Sequence, residues 1–175
     1  MTQRIEDYLI PPAVDSEIKE LLKDCFPQYP ENQSYLNQRP SFRYLKYDDD
    51  KLIAHLGVES RIISIDGKAC RVFGIVDLCV HENFQSKKLA SSLIKELEKF
   101  SKECNIDFIL LFTTSSNFYK KLGFKQVQNK SRWLMIQKNQ SLGVARRSVS
   151  DSLMVKAIGK KEWMPGEVDL MGHIF

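Results

Sequence analysis

The feature that most constrains the fold is a change of hydrophobic period at Ser41. From there FRYLKY alternates, an acidic turn follows at Asp48–Asp50, and KLIAHLGVESRIISI continues as a long strand-like run. The tetrapeptide Ile65-Asp66-Gly67-Lys68 is a hairpin signal, because Asp-Gly suits the positive φ angles of a primed turn. RVFGIVDLCV, rich in β-branched residues, comes next. Residues 41–80 therefore read as an antiparallel meander of three strands. A meander with one apolar face needs helices to cover it.

The flanks supply them. Pro11 and Pro12 end a first segment, and AVDSEIKELLKDCF then places Ile18, Leu21, Leu22 and Cys25–Phe26 on one helical face. Asp15 or Ser16 serves as the expected cap and Pro27 as the stop. A short second helix is expected within 31–39. Beyond the meander, Leu89, Leu93, Ile94, Leu97 and Phe100 form an apolar stripe between Gln85 and Cys104, the mark of an amphipathic helix. DFILLFTT reads as a strand buried on both faces, residues 116–122 as one or two helical turns closed by Gly123, and FKQVQ and SRWLMIQ as strands. QSLGVARRSVSD is expected to be a polar loop and SLMVKAIG a strand. The apolar last residues, WMPGEVDLMGHIF, are expected to pack against the body. The order implies an α+β (α/β) domain with one mixed, mostly antiparallel sheet and helices on its faces. It is expected to be a single domain over 1–175, with a core at 41–135 and C-terminal strands at 150–175.

Composition narrows the function. No apolar run approaches the roughly 20 residues of a membrane span, and the amino terminus has no signal pattern, so cytoplasmic residence is expected. The net charge of +4 is spread along the chain rather than gathered in a stripe, so a nucleic-acid partner is not expected. The four cysteines and three histidines have no metal-ligand spacing, so no metal is expected either.

Two segments carry chemistry. In VDLCVHENFQSKKLASSLI a buried strand ends at Val80, and a helix is expected to begin near Ser86 or Lys87. The free amides of a helix start favour a diphosphate, and Lys87 and Lys88 add charge there. In FTTSSNFYKKLGF a buried strand leads into a short helix, with Phe118 and Leu122 expected to face the core and Tyr119 one step round. Together, Q-x-x-x-x-A after a strand and FYxKLGF after the next strand make the chain resemble the GNAT superfamily of N-acetyltransferases over about residues 41–135. The layout is similar to the aminoglycoside 2′-N-acetyltransferase branch. The resemblance implies acetyl-CoA as cosubstrate and a primary amine of a small molecule as acceptor, with a homodimer as one assembly. It implies that Leu78, Cys79 and Val80 pair with the pantetheine arm and polarise the thioester. Gln85, Ser86, Lys87, Lys88, Leu89, Ala90 and Ser91 are implied to hold the diphosphate, Asn117 and Phe118 to contact the cofactor, and Tyr119 to be the general acid.

Lys88 stands where the family loop usually has glycine, a position that accommodates a lysine if its dihedrals are helical. Asp77 interrupts an apolar strand, and alternation puts it on the face of Phe73, Ile75 and Cys79. Asp77 or Glu59 is the expected base, because an amine that is protonated near neutral pH must lose a proton before attack. Whether these two carboxylates share a face is open at this stage. A CoA-binding sensor with little catalysis, or a peptide N-acetyltransferase, is the alternative.

Overall fold

The computed structural model describes residues 2–148 and 152–175. Its strands are β1 (Thr2–Glu6), β2 (Phe42–Asp48), β3 (Lys51–Ile65), β4 (Lys68–Val80), β5 (Phe108–Phe112), β6 (Lys125–Gln126), β7 (Lys130–Gln137), β8 (Gln140–Ser148), β9 (Leu153–Ala157) and β10 (Val168–His173). Its helices are α1 (Pro12–Cys25), α2 (Leu89–Glu103) and α3 (Ser116–Lys121). The fold is α+β with a mostly antiparallel sheet, as expected; only β4–β5 and β7–β10 pair in parallel among the described pairings.

The chain forms two compact units, residues 1–59 with 75–97, and residues 60–74 with 98–175. The long strands β3 and β4 contribute to both. Their two-residue turn has φ +46 at Asp66 and +78 at Gly67, the primed geometry that Asp-Gly favours.

In the first unit the order is β1–β2–β3–β4. Antiparallel pairing sets Arg43 opposite Gly57 and Leu45 opposite His55. Directly opposed residues share a sheet face, so Arg43, Leu45, His55, Gly57 and Glu59 lie together. Ile18, Leu21 and Leu22 of α1 close over this side, in one cluster with Tyr29, Leu45, Leu52 and Cys79. The helix begins with Pro12 at its first position, after Pro11, rather than with an Asp15 or Ser16 cap. Proline loses nothing at that position, since the first amide has no intrahelical partner.

In the second unit the strand order is β6–β9–β5–β4–β3–β10–β7–β8. Phe108, Leu110, Val72, Ile63, Ile65, Leu153 and Val168 form its core. The C-terminal segment packs into it: Phe175 lies over Gly74, where any Cβ would collide with its ring, and Arg61 sits 4.3 Å from the same ring.

Three expectations need correction, and one strand is added. Residues 31–39 form turns and no helix, because Ser34 donates to Asp15 at 2.6 Å and Arg39 pairs with Asp7, bonds an α-helix would not allow together. Residues 140–148 are a strand, not a loop; β8 is an edge strand that stays largely exposed, Leu142 and Val144 included, so no buried face marks it in the sequence, and it is entered by a turn with φ +49 at Lys138 and +60 at Asn139. Residues 149–151, the end of that expected loop and the start of the expected 150–175 strands, lie outside the described residues. Residues 2–6, given no element above, form β1 against β2. Finally α2 starts at Leu89, two to three residues late, since Ser86 and Lys88 have left-handed φ.

Phe108→Ala is expected to cost about 3–5 kcal/mol of stability, measured by urea unfolding. A loss below 1 kcal/mol would show that Phe108 is not central to this core.

Candidate active site

In the first unit, β4 leaves its extended path at Asp77, where φ is +52. Alternation cannot be carried through such a residue, so the expected shared face of Phe73, Ile75, Asp77 and Cys79 does not follow from spacing. Val76, just before it, presses on Gly57: a Cβ at Gly57 would come within 2.7 Å of the Val76 side chain. The half-buried Asp77 carboxylate accepts a 2.7 Å hydrogen bond from the Tyr29 hydroxyl at Oδ2. Its Oδ1 makes no hydrogen bond among the described residues. Burial pushes the Asp77 carboxyl above the usual carboxylate range; Tyr29 and the Arg43 charge pull it back, and the Glu59 charge pushes it further up. Glu59, itself buried, acts on Asp77 through its charge.

Behind Asp77 runs a polar chain that sequence reasoning missed. Arg43, fully buried, donates through Nε to Asp7 Oδ1 at 2.6 Å and through Nη2 to Ser34 Oγ at 3.4 Å. Its Nη1 lies 3.0 Å from His55 Nε2. Arginine only donates, so Nε2 accepts and the imidazole proton sits on Nδ1, which donates to the Asp77 carbonyl at 2.8 Å. Burial, with Arg43 beside it, pushes His55 down to about 3, so it stays neutral. The available signal was an arginine and a histidine inside the apolar stretches Phe42–Leu45 and Leu52–Val58.

The segments expected at the cofactor lie as follows. Leu78, Cys79 and Val80 end β4. The Cys79 thiol touches that of Cys25, and this contact together with burial raises it well above its ordinary value, which leaves it a poor nucleophile. After Val80 a single 3-10 turn, Glu82–Phe84, is capped by His81, and Gln85 donates back to the Val80 carbonyl at 3.4 Å. Ser86 and Lys88 have φ +65 and +59. The first helical bond of α2 runs from Ser92 N–H to the Lys88 carbonyl, so the amides of Ser86, Lys87, Lys88, Leu89, Ala90 and Ser91 make no hydrogen bond among the described residues. Left-handed residues ahead of a helix start turn successive N–H groups toward one anion. Lys87 places its ammonium over the Phe84 ring at 4.6 Å. Lys88, at φ +59, adopts the backbone that glycine would take and not the helical dihedrals that would accommodate a lysine without strain. These unpaired amides fit a diphosphate.

In the second unit, Tyr119 is the buried aromatic of α3 and Phe118 is the exposed one, the reverse of the expected facing. The helix has only six residues, and Gly123, φ +85, turns Phe124 back so that its amide bonds the Tyr119 carbonyl and its ring meets the tyrosine edge-on. Leu122 is only partly buried. Lys156 donates to the Leu122 carbonyl at 2.6 Å and pairs with Glu98, holding the C-terminus of α3. Burial pushes the Tyr119 phenol up to about 12. Its hydroxyl makes no hydrogen bond among the described residues. Asn117, also on α3, is exposed.

A family profile described as an acetyltransferase (GNAT) domain matches residues 15–127. The chain belongs to the GNAT acetyltransferase family. It is an acyl-CoA-dependent N-acyltransferase, with acetyl-CoA as its acetyl donor. Solved GNAT structures share the fold. An Escherichia coli GNAT family N-acetyltransferase (YhbS), in complex with CoA, has a TM-score of 0.65 at 14% identity over 97% of this chain and 88% of that one. A Brucella melitensis GNAT family acetyltransferase, in complex with acetyl-CoA, reaches 0.62 at 14% over 96% and 94%. An aminoglycoside 6′-N-acetyltransferase complexed with coenzyme A reaches 0.62 at 17% over 92% and 99%. No curated protein sequence matches the chain. Among the described residues no helix is long and apolar enough to cross a membrane, and no group of three or more His, Cys, Asp or Glu could hold a metal ion.

Two outcomes follow for this GNAT chain. A left-handed L-residue costs about 1–2 kcal/mol, so Lys88→Gly is expected to hold or raise stability by up to about 1 kcal/mol and Lys88→Val to lower it by about 1–2 kcal/mol, in urea unfolding. The reverse order would mean that Lys88 is not left-handed. Second, the folded chain refuses a proton at His55 that the unfolded chain takes up near its ordinary 6.5. Stability from this group is therefore complete above that pH and declines as pH falls toward about 3. His55→Asn is expected to flatten the decline, read from unfolding midpoints across that range.

Proposed function

We propose that this GNAT chain acetylates a primary amine of a small cationic molecule by direct attack, with Asp77 accepting the amine proton directly or through a water. The observation that carries the reading is the Asp77 carboxylate, held at Oδ2 by Tyr29 while Oδ1 has no partner among the described residues. A carboxyl raised by burial is a better proton acceptor near neutral pH than an ordinary one. Glu59 supplies a second negative charge, which favours a cationic acceptor such as a polyamine or an aminoglycoside.

Acetyl-CoA supplies an activated thioester. The unpaired amides of Ser86 to Ser91, with the side chains of Gln85, Lys87 and Lys88, are assigned to its diphosphate. The backbone at Leu78–Val80 is assigned to the pantetheine arm and to the negative charge that develops on the carbonyl oxygen. Tyr119 is assigned as the acid that gives its proton to the departing thiolate. Its phenol, pushed up to about 12, stays protonated through the physiological range, as an acid must. Asn117 and Phe118 are assigned to cofactor contact beside it.

A thiol-release screen over polyamines, aminoglycosides, amino acids and peptides tests the reading. Release with small polycationic amines is expected; release with peptides alone would reassign the acceptor, and CoA binding without release would favour a sensor. Tyr119→Phe is expected to lower kcat about 10- to 100-fold with CoA affinity within twofold, by steady-state kinetics and calorimetry. An unaltered kcat at all pH values would remove Tyr119 from the mechanism.

A further inference from the structure

The first unit buries a charge pair that its packing does not require. Arg43 is fully buried, and an ion pair in such a place adds little net stability over well-packed apolar side chains. Its members nonetheless follow one another across the sheet: Asp7 just after β1, Arg43 on β2, His55 on β3 and the Asp77 carbonyl on β4. Gly57 stands opposite Arg43 and puts no side chain in its way. Each bond dictates the next, because an arginine that only donates leaves His55 one tautomer, and that tautomer aims its single N–H at Asp77.

We infer that Asp7, Arg43 and His55 form a positioning chain that holds Asp77 in its left-handed conformation, and that Tyr29 then orients the carboxylate by taking Oδ2. The inference rests on Asp77 being the proton acceptor. A non-glycine residue keeps a left-handed φ when its surroundings hold it there, and the His55 bond to the Asp77 carbonyl supplies such a hold. None of these four residues needs to touch the acetyl group or the amine. They are positioning residues, and they work by fixing where the free Oδ1 points. The titratable and charged groups around Asp77 are Tyr29 from the turn after α1, Arg43 on β2, His55 and Glu59 on β3, and Cys79 on its own strand.

The test uses the full chain and the amine that gives the fastest thiol release. Tyr29→Phe removes one hydroxyl and leaves the ring against Phe26. It is expected to move the acidic limb of the kcat profile to higher pH, because the lost bond had favoured the charged carboxylate, and to lower plateau kcat about tenfold with an unchanged KM for acetyl-CoA. At His55, asparagine reproduces the Nδ1 donor and glutamine reproduces only the Nε2 end. His55→Asn is therefore expected to keep kcat within about threefold of the parent and His55→Gln to lose about tenfold or more, both folded by circular dichroism. An acidic limb unmoved in Tyr29→Phe, or equal kcat in the two His55 variants, would overturn the positioning chain. Asp77→Asn separates the two layers: an undiminished kcat there would overturn the base assignment itself, whereas a drop of about 100-fold leaves the Tyr29 and His55 results to decide the rest.

Discussion

The register of the β3–β4 hairpin is the constraint on which the rest depends. A two-residue turn with both φ angles positive joins strands of 15 and 13 residues, so a slip of one residue would reverse every side chain on both. With that register, β2 meets β3 so that Arg43 faces Gly57, and β4 brings Val76 against the same glycine. The absence of a side chain at Gly57 lets β4 approach closely: a Cβ there would meet the Val76 side chain at 2.7 Å and its carbonyl at 3.2 Å. Asp77 leaves the extended path one residue later.

Charge inside the first unit follows from that geometry. Asp7 and Ser34 satisfy two of the Arg43 nitrogens, and His55 takes a third. A neutral histidine is the only form compatible with an arginine donor, so the local field and the tautomer agree. Asp77 is then under opposed influences. Burial and Glu59 favour its acid form, while Tyr29 and Arg43 favour the carboxylate. A group balanced in this way is suited to taking up a proton and giving it back.

The second unit solves a different problem with apolar means. Tyr119 stands on a helix of six residues, too short to be stable by itself. Gly123 reverses the chain behind it, Phe124 packs against the ring, and Lys156 binds the Leu122 carbonyl at the C-cap. The ring is thereby buried with its hydroxyl left without a partner among the described residues, and desolvation raises the phenol further above its ordinary value.

Much of this was legible in the residues. The meander, the Asp-Gly turn, the Gly123 cap and the amphipathic helix after Gln85 are local events, set by side-chain period and by backbone preferences that neighbours in sequence express. The segments that misled are those whose conformation is decided by distant partners. Residues 31–39 look helical until Ser34 is spent on Asp15 and Arg39 on Asp7. Residues 140–148 look like a loop because an exposed edge strand needs no apolar alternation. Lys88 hides a glycine-like conformation behind a side chain that ordinarily avoids it. By itself the sequence determined the strand and helix alphabet, the family signatures and the two segments that carry the chemistry, since those depend on contacts within a few residues. Only the tertiary structure decided that Asp77 leaves the strand path, that Glu59 lies close enough to influence it, and that Tyr29, Arg43 and His55 stand behind it. Those facts are contacts between residues that lie from 12 to 48 positions apart, and no local preference encodes them.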